Sequence, residues 1–248
     1  MIILKSKSEV EKMAIACRIV AEVLDVLVRA ARPGLTTLEL DALAERGIRT
    51  RGAVPAFKGY RGFPNTLCVS INEQVVHGIP SKRRLRAGDI IGLDLGAKWE
   101  GYYGDAAITI PVGQVPSETG CLLATAREAL YMGIKEVSPG KHLSDISHTI
   151  QCYAEARGYS VVRAFVGHGI GTALHEEPQV PNFGPPGRGP RLKAGMVLAI
   201  EPMVNIGVAD VEIMDDGWTV VTADGQLSAH FEHTVAITEE GPQILTAL

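Results

Sequence analysis

The sequence predicts an α+β protein built from two similar halves. Helical patterns and strand patterns each occur in two blocks along the 248 residues: two helices precede a group of strands, and the same order then repeats. This order is expected when two α+β units pack against each other around a shared core. We place the boundary between the halves around Val112 to Glu118. We interpret residues 1–248 as one domain with an internal repeat, although the halves share little sequence identity.

Four segments have the apolar spacing of amphipathic helices. The first begins after a capping residue at Ser6 or Ser8 and ends before Pro33. The second begins at Thr36, where Glu39 completes a capping box, and ends near residue 49. The last two helices are expected over residues 118–137 and 144–157.

The segments between and after the helices have strand composition. The expected strands cover residues 89–97, 102–112, 160–166, 197–204, 218–222 and 227–238. Residues 98–101 are expected to turn between the first two strands. The glycine- and proline-rich residues 178–191 are expected to form a loop.

The composition is that of an ordinary globular protein, with 46% hydrophobic and 21% charged residues. A net charge of -4 argues against bulk attraction to nucleic acid or to an anionic membrane. The four cysteines are scattered and form no C-x-x-C pair, which is typical of reduced thiols. The sequence has no signal-peptide pattern and no apolar run long enough to cross a bilayer. These features predict a cytoplasmic protein.

The expected hairpin over residues 89–112 carries two acids among apolar neighbours. If Trp99 and Glu100 form a tight two-residue turn, Asp94 lies directly opposite Asp105, about 5 Å away on the same face. Two carboxylates so close require either a retained proton or a cation between them. A longer turn would change the register and leave two ordinary surface acids.

Three further polar residues lie on or directly after apolar strand patterns. His168 is flanked by glycines, Glu201 directly follows the run GMVLAI, and Glu232 lies within HFEHTVAI. Each alone is typical of a satisfied structural group. Four acids and one histidine together suit manganese, iron, cobalt or zinc. Five ligands exceed the three of a single catalytic zinc, so they fit two ions bridged by carboxylates and a water or hydroxide.

Six motifs occur in order along essentially the whole chain. They are NEQVVHGIP (residues 72–80), Asp94 with Asp105, GHGIG (167–171), HEEP (175–178), EPM (201–203) and FEHT (231–234). In this order and spacing the sequence resembles the type I methionine aminopeptidases. The resemblance implies the pita-bread fold, in which two pseudo-symmetric α+β halves, each of antiparallel sheet flanked by helices, surround a dinuclear metal site.

The resemblance also implies roles for the five ligands. Asp94 would bind one ion, and His168 and Glu201 would bind the other. Asp105 and Glu232 would bridge both. Glu201 would also accept a proton from the bridging water.

The resemblance implies that two other histidines handle the substrate. His77 would contact the scissile amide region, and His175 would hydrogen-bond the peptide carbonyl and stabilise the tetrahedral intermediate. The alternative for both is a structural or surface histidine. His230 and His233 flank Glu232 and could equally be packing groups, so we leave them out of the ligand set.

By the same resemblance, the walls of a methionine pocket would be Tyr60, Phe63, Cys68 and Trp218, although each alone could be plain core. Beside His175, family members often carry an aromatic residue, whereas this chain has Leu174. Phe57 also replaces a smaller residue near the start of the pocket. These two differences are expected to reshape the pocket without abolishing its preference for methionine.

The implied activity is removal of the initiator methionine from nascent proteins and peptides whose second residue is small. The implied partners are the N-termini of nascent chains near the ribosome exit. The protein is expected to be a monomer that binds no specific nucleic acid. The basic residues 82–86 could touch RNA but are more typical of a solvated loop. The glycines of residues 167–171 lack the GxGxxG spacing of a nucleotide loop.

Three alternatives share the fold. Proline-specific aminopeptidases or dipeptidases, and relatives of creatinase, usually carry an additional N-terminal domain, whereas only about 90 residues precede Asp94 here. A non-catalytic binding protein of this fold would typically lack several of the metal ligands, and all five are present.

Overall fold

The computed structural model describes residues 1–247. Its helices are α1 (Lys7–Ala30), α2 (Thr37–Thr50), α3 (Ser117–Lys135) and α4 (Leu143–Glu155), and Tyr60–Gly62 form one turn of 3-10 helix. Its strands are β1 (Val54–Pro55), β2 (Leu67–Ile71), β3 (Gln74–Val76), β4 (Ile90–Trp99), β5 (Tyr102–Pro111), β6 (Ser160–Val161), β7 (Gly167–Gly169), β8 (Glu176–Val180), β9 (Val197–Ile200), β10 (Met203–Asn205), β11 (Val211–Ile213), β12 (Val220–Thr222), β13 (Ser228–His230), β14 (His233–Thr238) and β15 (Gly241–Ile244). None of the helices in this range combines the length and apolar character needed to span a membrane.

The four expected helices are confirmed, and their ends follow from capping. Ser6 caps α1 and Thr36 caps α2, each in a capping box with the glutamate three residues later. A side-chain cap of this kind contributes about 1 kcal/mol to helix stability. The alternative cap at Ser8 is therefore wrong. Helices α3 and α4 begin and end within two residues of the expected bounds.

The two halves repeat one local arrangement of hydrogen bonds. Arg84 Nη1 donates to the carbonyl of Gly34 at 2.7 Å, and Arg191 Nη1 donates to the carbonyl of Gly140 at 2.7 Å. These arginines begin the segments RLRAG and RLKAG, a short stretch of near-identity between the halves. The two halves therefore share an order of helix pair, turn and strand in which Asp94 aligns with Glu201, each ten residues after its arginine.

Each half has a sheet covered by its own pair of helices. In the first half, β4 pairs with β5 along one edge and with β1 and β2 along the other, and α1 and α2 pack on this sheet. In the second half, a five-stranded sheet has the order β15-β14-β9-β7-β8 and a three-stranded sheet has the order β13-β10-β6. Helices α3 and α4 cover these strands through one continuous apolar cluster. A third small sheet, β11-β12-β3, contains strands from both halves.

Two expected strands are each interrupted where a carboxylate lies. Residues 197–204 form β9 and β10 with a break at Glu201-Pro202, and residues 227–238 form β13 and β14 with a break at Phe231-Glu232. Pro202 has no N–H to continue a ladder. The N–H of Glu232 donates instead to the carbonyl of Ala107 in β5, at 2.9 Å. Both acids therefore lie where the chain passes from one sheet to another.

Three other strand and loop predictions are partly wrong. In place of the expected strand over 160–166, β6 ends at Val161. The N–H of Val162 still donates to the carbonyl of Met203, and the strand pairing stops there. The expected loop over 178–191 begins inside β8, which pairs with β7, and the strand over 218–222 begins only at Val220. Six further strands had no counterpart in the sequence prediction: β1, β2, β3, β7, β11 and β15.

The register of the β4–β5 hairpin differs from the expected one. Its two turn residues are Glu100 and Gly101, with φ of 44° and 89°. A two-residue hairpin turn of this kind needs positive φ at both positions, which glycine adopts easily and a tryptophan does not. Asp94 is therefore paired with Ala107, and Asp105 with Gly96. The predicted direct pairing of the two acids is wrong, although both remain on the same face as diagonal neighbours.

Strand β5 also joins the two halves. The hydroxyl of Thr109 donates to the carbonyl of His230 at 2.8 Å, and the hydroxyl of Thr234 donates to the carbonyl of Asp105 at 2.7 Å. Between them lies the bond from the N–H of Glu232 to Ala107. Alternate residues of β5 thus bind alternate residues of the second half, which brings Asp105 beside Glu232.

Candidate active site

The five expected ligands line one cavity between the two halves. Its volume is about 150 Å³. The members of this set are Asp94, Asp105, His168, Glu201 and Glu232. Within it, one possible ligand atom from each of Asp105, His168 and Glu232 lies within 4.8 Å of the others. The fold therefore brings together the five side chains that were predicted as ligands.

The first half supplies the two aspartates from the middle of its hairpin. Asp94 is partly exposed, and its paired residue on the adjacent strand β2 is Cys68. Asp105 is buried, 4% exposed, and follows Gly104. A Cβ at Gly104 would lie 2.6 Å from the backbone nitrogen of Cys17 in α1, so glycine allows the helix to pack directly on the strand. This close packing fixes the depth at which Asp105 projects.

The second half supplies His168 from a short strand between two glycines. A Cβ at Gly167 would lie 2.3 Å from the carbonyl oxygen of Ala199, and one at Gly169 would lie 2.2 Å from that of Glu177. Both glycines therefore allow neighbouring strands to approach the backbone of β7 closely. His168 Nδ1 lies 2.9 Å from the carbonyl of Gly169. A neutral ring donates there and keeps the Nε2 lone pair free to bind a metal.

Glu201 lies between two imidazole rings. Its Oε1 is 3.5 Å from His168 Nε2, and its Oε2 is 3.6 Å from His230 Nε2. His230 was left out of the ligand set on its sequence alone, and the structure places its buried ring beside the carboxylates. Its position two residues before Glu232 was the available signal. Side chains two apart on a strand share a face.

Burial makes this cluster electrostatically unfavourable without a cation. It raises the pKa of Asp94 to about 7 and that of Glu201 to about 8. Burial and repulsion between carboxylates hold the pKa values of Asp105 and Glu232 well above their ordinary range. Burial also lowers the pKa of His168 to about 3, so its ring is neutral. Anionic oxygens and a neutral imidazole together form a cation site.

Two orphaned atoms show that the donor set fits a metal. In the described part of the chain, Asp105 Oδ1 and Glu232 Oε1 are buried side-chain oxygens without a hydrogen-bond partner. An unpaired buried carboxylate oxygen is costly, and a coordinated cation is one of the few groups that compensates it. Four carboxylates and one imidazole suit borderline divalent ions. The residues present therefore fit a divalent metal.

Two further histidines, His77 and His175, line the cavity from loops. His77 has φ of 60°, a left-handed conformation that is uncommon outside glycine. Burial, followed by repulsion from His230 and His175, lowers its pKa to about 4. His175 stacks on Tyr60, whose hydroxyl lies 2.9 Å from His175 Nδ1, and its ring centroid lies 4.2 Å from that of His168.

The expected pocket walls lie together beside these carboxylates and His168. Phe63 packs edge-on against Trp218 with ring centroids 5.2 Å apart, and the buried Cys68 and Leu174 complete the wall. Burial and the nearby Asp94 raise the pKa of the Cys68 thiol well above its ordinary value, so it remains neutral. The lining is thus apolar and contains sulfur.

Two more residues line this cavity. Phe57 is 8% exposed and was expected near the start of the pocket. Arg61, with φ of 48°, was not predicted. Its guanidinium carbon lies 5.4 Å from the centre of the Tyr60 ring. No pattern in the sequence distinguishes Arg61 from an ordinary surface arginine.

Comparison with known proteins agrees with this geometry. The model of metallopeptidase family M24 matches residues 11–239. Methionine aminopeptidase 1 of Bacillus subtilis is 55% identical over 246 residues, which are 99% of this chain and 99% of that protein. Methionine aminopeptidase of Clostridium perfringens is 54% identical and covers 100% of both chains.

Solved structures show the same relationship. The methionine aminopeptidase of Thermotoga maritima has a TM-score of 0.99 at 46% identity, with 100% of both chains covered. The prolidase of Pyrococcus horikoshii has a TM-score of 0.81 at 24% identity, and the match covers 99% of this chain but 63% of that one. The prolidase therefore shares the fold alone, and the proline-specific alternative is less well supported. The fold is the expected pita-bread fold, and the chain belongs to metallopeptidase family M24 and, within it, to the methionine aminopeptidases.

Proposed function

We propose that this chain removes the N-terminal methionine from nascent proteins and peptides whose second residue is small. The observation that carries the proposal is the position of the carboxylate–histidine cluster at one side of a small apolar cavity that also contains a thiol. A cavity of about 150 Å³ has room for one side chain, and methionine suits aromatic and sulfur-containing walls.

We propose that the cluster holds two divalent ions, of cobalt, manganese, iron or zinc. Asp94 would bind one ion and His168 with Glu201 the other, while Asp105 and Glu232 would bridge them. The two orphaned carboxylate oxygens of Asp105 and Glu232 support the bridging role, because each has coordination capacity unused by the protein. When bound, such ions would polarise the peptide carbonyl and lower the pKa of the attacking water.

Glu201 would act as the proton acceptor. Its carboxylate lies within 4 Å of both His168 and His230, at the edge of the cavity. It would take a proton from the attacking water and return it to the amine that leaves when the peptide bond breaks.

His175 would stabilise negative charge on the carbonyl oxygen. The Tyr60 hydroxyl can donate to its Nδ1, which leaves a proton on Nε2 for donation to the substrate. Burial lowers the pKa of His175, which favours this neutral donor form at neutral pH. His77, held neutral by its lowered pKa, would contact the scissile amide from another loop.

The pocket would bind the methionine side chain, and the metal cluster would bind its free amino group. Phe63, Cys68 and Trp218 would contact the thioether, with Tyr60 and Leu174 beside His175. Because the amino group would lie at the ion held by Asp94, the enzyme would act as an aminopeptidase and not as an endopeptidase.

We further propose that residues 1–248 act as one catalytic domain and as a monomer. The substrates would be newly made chains, and we therefore place the activity in the cytoplasm near the ribosome exit. No specific nucleic acid or membrane is required by this site.

The test is a panel of peptides assayed with manganese, cobalt, iron or zinc. We expect release of methionine from Met-Ala and Met-Gly peptides, and little release when the second residue is large. Asp105→Asn serves as the control that assigns the activity to this site. Failure to release methionine with any of the ions, or a preference for X-Pro peptides, would overturn the proposal.

A further inference from the structure

The loop from Gly171 to Glu176 carries two residues of the cavity, Leu174 and His175. It is folded around the carboxylate of Glu176. Glu176 Oε1 accepts a hydrogen bond from the N–H of Ala173 at 3.1 Å and one from the hydroxyl of Thr172 at 3.4 Å. The position of His175 therefore depends on where the next residue's carboxylate lies.

That carboxylate is held by a lysine far away in the sequence. Lys5 Nζ lies 2.5 Å from Glu176 Oε2, and the two side chains are only 4% and 7% exposed. Lys5 Nζ also donates to the carbonyl of Ile3, and the Lys5 N–H donates to the carbonyl of Gly195 at 2.7 Å. The N–H of Gly195 in turn donates to Ile237 in β14. Lys5 is thus fixed to the sheet of the second half.

Little free space surrounds this ion pair. A Cβ at Gly171 would lie 2.5 Å from Lys5 Cε and 2.6 Å from Glu176 Oε1. The carbonyl of Gly171 accepts from the N–H of Tyr103 in β5 at 2.9 Å. Both ends of the loop are therefore anchored, one to the first half through Tyr103 and the other through Lys5.

We propose that Lys5 is a positioning residue that acts through Glu176 to hold His175 in place for the reaction. This inference rests on the function proposed above. A buried carboxylate without its partner is strongly unfavourable, so loss of Lys5 would drive Glu176 toward water. The bonds from Glu176 to Thr172 and Ala173 would break with it, and the His175 ring would lose its alignment with the substrate carbonyl.

The test is a mutant cycle between Lys5 and His175, measured on a Met-Ala peptide with the metal-loaded full chain. Lys5→Met is expected to lower kcat by roughly ten- to hundredfold with KM changed less than about twofold, because a transition-state donor is misplaced. In a His175→Ala background, the same change is expected to lower kcat by less than about twofold, since its target is already absent. An equal loss in both backgrounds would overturn the proposal.

A matched control and a charge-balanced variant separate this effect from misfolding. Lys12→Ala removes an exposed lysine whose ammonium is 3.7 Å from Glu100, and kcat is expected to be unchanged. Lys5→Met combined with Glu176→Gln leaves no unpaired buried charge, so the chain is expected to fold. Its kcat is expected to remain lowered because the side chain at position 176 is then no longer anchored to the second half through Lys5. Wild-type kcat in this folded double variant would contradict the proposal.

A structural readout distinguishes failure of this inference from failure of the proposed function. In NMR spectra of the metal-free protein, Lys5→Met with Glu176→Gln is expected to shift the ring resonances of His175 and leave those of His142 in place. If the wild type releases no methionine but His175 shifts, only the proposed function fails. If the His175 resonances do not move, the positioning role is wrong whatever the activity.

Discussion

In the first half of the molecule, Asp94 and Asp105 project from the middle of two continuous ten-residue strands. In the second half, Glu201 and Glu232 lie where strands break between two sheets. The segments that precede Asp94 and Glu201 nevertheless match. The same hydrogen bond from an arginine to a glycine carbonyl occurs in both halves, and Asp94 aligns with Glu201. One scaffold thus presents equivalent carboxylates by two different local conformations.

The difference follows from what each half has to contact. Strand β5 lies at the seam between the halves and remains continuous over its ten residues. The second half bends to meet it, because the N–H of Glu232 bonds to Ala107 and Pro202 ends the ladder beside Glu201. The strand breaks of the second half therefore serve the junction between the halves, and the acids at those breaks complete the site.

The largest effect should come from removing, from either half, one of the two carboxylates that we propose bridge the ions. Asp105→Asn and Glu232→Gln are each expected to lower kcat/KM by at least about 1000-fold. Each change removes one carboxylate from a metal site to which both halves would contribute ligands. Steady-state assays on a Met-Ala peptide measure this. Near-wild-type activity in either variant would show that only one half holds the metal.

A smaller loss is expected when a substrate contact is removed and the ligands are kept. His175→Ala should lower kcat by about 100- to 1000-fold, the effect of losing one donor to a developing oxyanion. His142→Ala, in a histidine that caps α4 away from the cavity, should leave kcat unchanged. An unaffected kcat in His175→Ala would remove this loop from the catalytic account.

Metal removal should make stability depend on pH. Asp94 and Glu201 have raised pKa values, about 7 and about 8, so the protonated cluster stabilises the metal-free fold at low pH. As pH rises through these values the carboxylates ionise beside one another and that stability is lost. Urea unfolding should show the metal-free protein losing a few kcal/mol between about pH 5 and pH 9, since one pKa unit corresponds to about 1.4 kcal/mol. Across this range the unfolding free energy of the metal-loaded protein should rise relative to that of the metal-free protein. Parallel pH profiles of unfolding free energy for the two forms would argue against a cation between these groups.

The smallest effect should come from removing the repeated arginine hydrogen bond, and its cost in unfolding free energy should be equal in the two halves. Arg84→Ala and Arg191→Ala each remove one exposed hydrogen bond to a backbone carbonyl, and each should cost about 0.5–1 kcal/mol of unfolding free energy. Arg83→Ala, an exposed neighbour, is the control and should cost less than about 0.5 kcal/mol. A large cost in one half and none in the other would show that the repeated bonds are not equivalent.

The sequence predicted the helices and the identity of the clustered residues better than the strands. Helix ends follow from local chemistry, as at Ser6 and Thr36, whose side chains cap the backbone next to them. The hairpin register was wrong because it depends on the φ angles of two turn residues, and Glu100 adopts the unusual one beside Gly101. The strand breaks at Glu201 and Glu232 were missed because contacts with β5, far away in sequence, cause them.

In the candidate site, the acids were predictable because a charge at the end of an apolar strand needs a partner. His230 and Arg61 were not, since their neighbours in space come from other elements. The link from Lys5 to Glu176 spans 171 residues and also left no local pattern.

The central claim is that ligands from both halves bind metal together in one site. Anomalous diffraction from crystals of the manganese-loaded protein tests this directly. We expect two peaks in the cavity, with Asp94 and Asp105 of the first half and His168, Glu201 and Glu232 of the second among their ligands. A peak bound by residues of one half alone, or none in this cavity, would contradict it.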